Sequence, residues 1–219
     1  MKGAIVPSED LRTDTKGAIG VGSLIIFIAM ILVAGITASV LIQTMNNLQQ
    51  QALQTSEETL RDISSGVKVS TVSGYVSGSK ITQLALFITP ISASDPIDLT
   101  YAYFSLSDSS KKVILNYTSV CFNETVKNST FNTLNSSKLS ATTYGLLVVR
   151  DVDDSCTQTT PVINERDLVI LLVNTTKCFQ GISTSTEVAG EINLEYGISG
   201  MVGFTTPSAF IDTIVDLQP

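Results

Sequence analysis

Hydrophobic and polar positions are divided very unevenly along this chain. From Ala18 to Ile42 the only polar side chains are Ser23, Thr37 and Ser39, and no charged residue stands between Lys16 and Glu57. As a helix, that run would span about 37 Å, more than the roughly 30 Å hydrocarbon core of a bilayer. A cleaved secretory signal fits less well: such signals have apolar cores of roughly 7–15 residues and a small-x-small cleavage site, which is missing here. The next stretch, LIQTMNNLQQQALQTSEETLRDISSG, is polar, yet Leu41, Met45, Leu48, Ala52, Thr55, Thr59 and Ile63 recur at alternating spacings of four and three. A period of about 3.5 residues keeps one narrow stripe facing a neighbouring helix, and Leu53 and Leu60 widen it. Ser65-Gly66 supplies the stop, because glycine accepts the left-handed conformation that ends helices. The pattern predicts one continuous helix from about residue 19 to 65, apolar all round at first and striped afterwards. A membrane anchor needs no stripe beyond the membrane. A packed helical assembly does.

From Val67 the period shifts towards strands. Candidates are Val67–Val76, Lys80–Thr89, Ile97–Leu106, Lys111–Tyr117, Tyr144–Arg150, Asp167–Val173, Glu187–Tyr196, Ile198–Phe204 and Ile211–Leu217. In EVAGEINLEY, Val188, Ile192, Leu194 and Tyr196 alternate with Ala189, Glu191, Asn193 and Glu195, as in a strand with one wet face. LVILLV (Leu168–Val173) has no polar position and predicts a central strand buried on both sides. Short strands punctuated by Gly, Pro and Asp-Ser favour a two-sheet antiparallel sandwich, immunoglobulin-like, after the helix: an α+β chain.

Composition narrows the chemistry. The net charge is −7, with no histidine and three cysteines. An acidic chain without basic clusters is a poor match for nucleic acid, which is bound mainly through Lys and Arg. Without histidine there is no serine or cysteine triad of the usual kind, and no glycine-rich phosphate loop follows a strand. An enzyme is therefore not expected, nor a cofactor. DVDDS (Asp151–Ser155) resembles the start of a calcium loop but lacks the later glycine and glutamate, so a solvated turn, not a metal site, is the expectation. Cys121, Cys156 and Cys178 are too widely spaced for a zinc site without histidine. One disulfide and one buried thiol are expected. Three pairings are open, with Cys121–Cys178 preferred because each adjoins a strand beside a variable insertion. That insertion, residues 116–137, holds Asn-x-Ser/Thr sequons at Asn116, Asn123, Asn128 and Asn135, and Asn174 begins another. On an exposed loop, these are candidate N-glycan acceptors.

At this point the residues resemble a known family. A leader ending in Lys16-Gly17, followed by AIGVGSLIIFIAM (Ala18–Met30), closely resembles the start of archaeal flagellins (archaellins). SGVKVSTVSGYV, ITQLALFITPISASDPIDLTYAYFSLSD and the closing GFTTPSAFIDTIVDL extend the likeness over about residues 16–105 and 187–219, with a variable middle. Gly22 stands at the fifth position after the leader, where bacterial pilins carry glutamate, which fits archaellins. The resemblance implies cleavage between Gly17 and Ala18 by a membrane prepilin-type peptidase. It implies extraction of the processed subunit from the cell membrane, by an assembly and motor platform, into an extracellular helical filament of copies of itself, used for swimming. Residues 1–17 would then be a leader, 18–66 the filament-core helix with Leu24, Ile28, Leu32 and Ile36 against other subunits, and 67–219 the outer β-sandwich. KGAI occurs twice, at Lys2–Ile5 and Lys16–Ile19. Only the second copy stands before a long hydrophobic helix, which makes it the processing site. An adhesive pilus subunit, or an anchored surface domain that never polymerises, are the alternative readings.

Overall fold

The computed structural model describes residues 10–91 and 94–218, with side chains from residue 19 onward. The first KGAI copy lies outside the described residues. The chain divides into two compact units at Ser56/Glu57, inside the helix and not after it.

Helix α1 runs from Asp10 to Ser64, 55 residues without a break. Expected from residue 19, it begins earlier and carries the Gly17-Ala18 bond within it. Arg61 in its last turn has the sign that the helix dipole favours there. It stops where Ser65-Gly66 predicts, and the Ser65 amide donates to Arg61 O at 3.0 Å to close the final turn.

The last turns of α1 belong to the second unit, and the backbone just beyond them is tied in from both sides. The Ile198 amide donates to Ser65 O (2.8 Å), Val67 N donates to Ile198 O (3.2 Å), and Ile91 N donates to Gly66 O (2.9 Å). Asp95 N donates to Ser65 Oγ at 3.2 Å. The Arg61 guanidinium pairs with Asp95 at 2.9 Å and lies over the Tyr196 ring, 4.3 Å from its centroid. The Tyr196 hydroxyl donates to Pro96 O at 2.6 Å. The ion pair is half exposed and worth under about 1 kcal/mol; the backbone bonds hold the joint. Gly197 makes the close approach possible. Its φ is +93°, and a Cβ there would sit 2.6 Å from Ser65 O.

The strands are β1 (Val67–Ser77), β2 (Lys80–Pro90), β3 (Ile97–Asp98), β4 (Tyr103–Ser107), β5 (Lys112–Asn123), β6 (Thr143–Arg150), β7 (Val162–Ile163), β8 (Leu168–Asn174), β9 (Glu187–Asn193), β10 (Gly200–Thr205) and β11 (Ile214–Gln218). β3 and β7 form a small ladder; the other nine make one sheet in the order β10-β9-β4-β5-β6-β8-β2-β1-β11. Every pair is antiparallel except β5–β6. The expected sandwich is present, but its layers are halves of one sheet curled until its edges meet. Gly203 N, on one edge strand, donates to Gln218 Oε1 on the other at 3.1 Å. A Cβ at Gly200 would lie 3.1 Å from the Val67 side chain. The two edge strands approach each other without forming a ladder.

β8 is central and buried on both faces, as its unbroken apolar run requires. Val169, Leu171 and Val173 face the main core with Phe104, Leu106 and Tyr144. Ile170 and Leu172 face a second cluster with Ala85, Leu147 and Phe131. The stretch expected as one strand, Ile97–Leu106, is broken by a turn in which Thr100 N donates to Asp98 Oδ1 and Ala102 N to Leu99 O, and the buried Tyr144 hydroxyl uses the carbonyls it exposes. It donates to Leu99 O and Ala102 O, both at 3.2 Å, across a turn. Leu194 and Tyr196 fall beyond β9.

The polar insertion is not a free loop. β5 continues through it to Asn123, and helix α2 (Thr130–Thr133) and a 3-10 turn (Ser136–Lys138) follow. Phe131, Leu134 and Leu139 are buried over the second cluster, with Phe131 against Tyr75 at 5.5 Å between ring centroids.

The expected Cys121–Cys178 disulfide does not form. All three cysteines are free and buried. Cys121 lies in the second cluster and Cys178 in the main core, on opposite faces of the sheet. Each thiol has its own acceptor, Asn135 O at 3.7 Å for Cys121 and Ala141 O at 3.5 Å for Cys178. Burial pushes Cys178 up to about 11, and burial with nearby Asp151 and Asp167 pushes Cys156 up to about 12. At neutral pH these are inert thiols, not nucleophiles.

Two outcomes are expected. Chain denatured without reductant takes up alkylating reagent at Cys121, Cys156 and Cys178, as read by peptide mass spectrometry; a disulfide-linked peptide would contradict this arrangement. Gly197→Ala lowers stability by about 2 kcal/mol or more in thermal unfolding, through left-handed strain and the clash with Ser65 O. Gly203→Ala, whose Cβ meets nothing within 4 Å, serves as the near-neutral control.

Candidate functional site

Every position of α1 from Ile19 to Ser64 is exposed. Leu24 is 58% exposed, Ile28 49%, Leu32 63% and Ile36 67%, and Ile25, Ile26, Phe27, Ile31 and Val33 fill the rest of the circumference. Continuous apolar surface of this extent marks an interface or a membrane segment. Among the described residues, α1 is the helix long and apolar enough to cross a membrane.

Two of the three polar side chains in the run, and one just past it, bond back to their own helix. Ser23 Oγ donates to Gly20 O (2.9 Å), Thr37 Oγ1 to Val33 O (2.8 Å) and Thr44 Oγ1 to Val40 O (2.8 Å). These three hydroxyls reach about one turn back along the helix, so they can be buried without an orphaned donor. Gly20, Gly22 and Gly35 each cost a helix up to about 1 kcal/mol relative to alanine. A Cβ at any of them would meet nothing within 4 Å in this chain. Small residues suit close approach by another helix. Further along, Leu48, Leu53, Leu60 and Ile63 remain exposed on the stripe. Gly17 and Ala18 lie in the part of α1 for which the backbone alone is described.

The sequons separate by geometry. Asn116, Asn128 and Asn135 are exposed and Asn123 half-buried. In two of them the asparagine oxygen already turns back on its own sequon: Thr125 N donates to Asn123 Oδ1 at 3.4 Å, and Ser137 N to Asn135 Oδ1 at 3.1 Å. Asn174 differs. It is buried, caps helix α3 (Thr175–Phe179) through Lys177 N, and spends its amide nitrogen on Ser136 O at 2.9 Å. In the folded chain that nitrogen is not available to a glycan, which corrects the expectation for this residue.

DVDDS is more than a solvated turn. Asp151 Oδ1 accepts from Asp153 N and Ser155 N, and Oδ2 accepts from Cys156 N at 2.9 Å. Buried Asp167 joins it from the start of β8, accepting from Val152 N and Asn164 N. Burial raises the Asp167 pKa, with Asp151 and Asp153 adding to the effect, whereas hydrogen bonding, led by Ser155, lowers that of Asp153. Carboxylate oxygens of the three approach within 4.8 Å of one another. They are hard donors, and these are the described residues whose chemistry suits a cation. Asp167 was not anticipated, because only the tertiary fold brings it beside the turn. Nor was the Arg61–Tyr196 stack, although a basic residue in the last helical turn was visible in sequence.

Comparison with known proteins accounts for both the helix and the sheet. The chain matches the archaeal-type flagellin family over residues 17–204. It is 39% identical over 207 residues to flagellin B2 of Methanocaldococcus jannaschii, covering 93% of this chain and 95% of that one. It is 36% identical over 223 residues to flagellin B4 of Pyrococcus abyssi, covering 93% and 99%. A crystal structure of an archaeal flagellin from Methanocaldococcus jannaschii superposes with a TM-score of 0.64 at 32% identity, covering 70% of this chain and 97% of that one. The archaeal flagellum of Methanospirillum hungatei shares the fold with a TM-score of 0.62 at 15% identity, covering 91% and 99%. This chain belongs to the archaeal-type flagellin family.

Proposed function

We propose that this flagellin polymerises through residues 18–64 after its leader is cut between Gly17 and Ala18, forming the core of an extracellular swimming filament. Its role is structural, as a subunit of the archaeal flagellum, and its first partner is itself. The observation that carries the reading is a helix exposed from Ile19 to Ser64 and apolar over its first half, with the hydroxyls of Ser23, Thr37 and Thr44 bonded within it. Before assembly the same segment is held in the membrane. Lys16 sits at the inner face, as the positive-inside tendency expects, and a prepilin-type peptidase and an assembly platform act on it there.

Cleavage controls assembly through desolvation. The leader carries Lys2, Arg12 and Lys16 against Glu9, Asp10 and Asp14, so its charges cancel and long-range repulsion is not the obstacle. Each charge taken into a dry bundle nevertheless costs several kcal/mol unless well paired. Cutting after Gly17 leaves one α-amine, whose reference pKa of about 8 lets it partly neutralise on burial. N-glycans on Asn116, Asn123, Asn128 and Asn135 decorate the outer surface.

Gly17→Val is expected to leave full-length precursor in the membrane and no filaments, whereas Gly3→Val changes neither; the readout is subunit N-terminal sequencing with electron microscopy. Leu32→Asp, which places an unpaired carboxylate in the core at several kcal/mol per subunit, abolishes filaments while the β-domain still unfolds cooperatively. Normal filaments from Leu32→Asp would remove it from the core. Glycopeptides from protein made in its own host map to Asn116–Asn135 and not to Asn174; a glycan on Asn174 would contradict its capping role.

A further inference from the structure

Charge in the second unit is sorted between two ends. β1 starts beside the end of α1 and runs away from it, so the turn at Ser77–Lys80 lies at the far end. Asn174 pairs with Gln83 near that turn, which places α3 there too. Lys80 Nζ donates to Gln180 O (3.1 Å), Lys111 Nζ to Cys178 O (2.9 Å), and Lys177 Nζ to Ser137 O and Leu139 O (2.7 Å each). The far end therefore gathers Lys80, Lys111, Lys112, Lys138 and Lys177. Fewer acids accompany them: Asp108 in the β4–β5 turn, Glu187 beside Ser109, and Asp212 next to Thr213, whose carbonyl accepts from Val76 N.

The helix end has the opposite sign. Ile88 pairs with Val169 and with Val69, and Arg150 pairs with Leu168, so the 151–167 segment lies at this end. Asp95, Asp98, Asp151, Asp153, Asp154, Glu165 and Glu195 outnumber Arg61, Lys68, Arg150 and Arg166 there. Among the described residues the ion pairs are Arg61–Asp95 at 2.9 Å and Arg166–Glu165 at 3.9 Å, both at the acidic end. At the far end the Lys80, Lys111 and Lys177 ammonium groups meet carbonyls, which orient them without cancelling their charge.

Soluble surfaces ordinarily intersperse the two signs. Sorted signs suit a heterologous contact between identical copies, in which one end of a subunit meets the other end of the next. We propose that the basic far end of one β-domain docks on the acidic helix end of a second copy of this chain. The inference rests on the filament reading and adds an electrostatic contact to the apolar core. A two-fold contact of like ends would set lysine against lysine and is disfavoured.

The test uses full-length processed filaments. Lys112 and Lys138 are exposed and their ammonium groups hold no carbonyl, so they are altered without loosening α3. Wild-type filaments are expected to shorten as salt rises from 0.01 to 1 M, over which the Debye length falls from about 30 to about 3 Å. Lys112→Glu/Lys138→Glu shortens them at low salt by roughly tenfold or more, with an unchanged unfolding midpoint; Lys112→Gln/Lys138→Gln falls between. Adding Glu165→Lys/Glu195→Lys to the reversed chain restores length. Wild-type length and salt response in the lysine-reversed variant would overturn the proposal. So would loss that the acidic-end reversal fails to rescue, which would point to an anionic partner other than this chain. Absence of filaments from wild-type processed subunit would instead overturn the filament reading, and this contact with it.

Discussion

The helix carries an apolar surface that the chain does not cover. Each large side chain left in water along α1 forgoes about 1.5–3 kcal/mol of burial, and the run from Ile19 to Ile42 holds many of them. Such a segment is stable only inside something apolar, a bilayer or a bundle of helices. The rest of its sequence follows from that requirement. Charge is excluded between Lys16 and Glu57, the Ser23, Thr37 and Thr44 hydroxyls are bonded about one turn back, and glycine stands where the monomer has no steric use for it. Ionisable residues return only where the helix again meets water.

A helix this demanding imposes a second constraint on the domain that follows it. The β-domain must fold without help and offer no rival surface for indiscriminate pairing. The curled sheet brings its edges close together. Gln218 of β11 accepts from Gly203 N of β10, and Val67 at the start of β1 bonds to Ile198, just before β10. The same bonds fasten the chain just beyond α1, with Gly197 permitting the contact. One small region thus draws the sheet's edges together and ends the helix.

Periodicity made much of this legible. The unbroken LVILLV run marked the strand with two buried faces, because only such a strand does without polar positions. The 3.5-residue spacing marked the continuation of α1 beyond the apolar run, and Ser65-Gly66 its stop. What sequence did not show depends on contacts distant in the chain. Nothing local says that Tyr144 uses the carbonyls of Leu99 and Ala102 at the break between β3 and β4. The two-residue strand β7 is too short to have a period. Asn174 reads as a sequon like the others until its partner, Ser136 O, is known. The cysteines suggested a bridge by number and compartment, whereas their separation to opposite faces of the sheet is a property of register.

The polar insertion shows how a variable surface is carried on a fixed core. Asn116, Asn128, Asn132 and Asn135 are exposed, but Phe131, Leu134 and Leu139 reach down onto the face formed by Ile170 and Leu172. Asn174 and Lys177 hold the 3-10 turn by its carbonyls from below. Three apolar anchors and a few backbone bonds suffice to fix the segment, so its remaining positions are free to vary in charge and polarity. In the filament reading, the interior is charge-free and identical from copy to copy. All electrostatic individuality must then reside in the β-domains, where water screens it. Assembly in that case is driven by burial of α1, while the medium outside acts only on contacts between neighbouring β-domains. The two can be tuned separately, because no charged residue lies in the stretch of helix between Lys16 and Glu57.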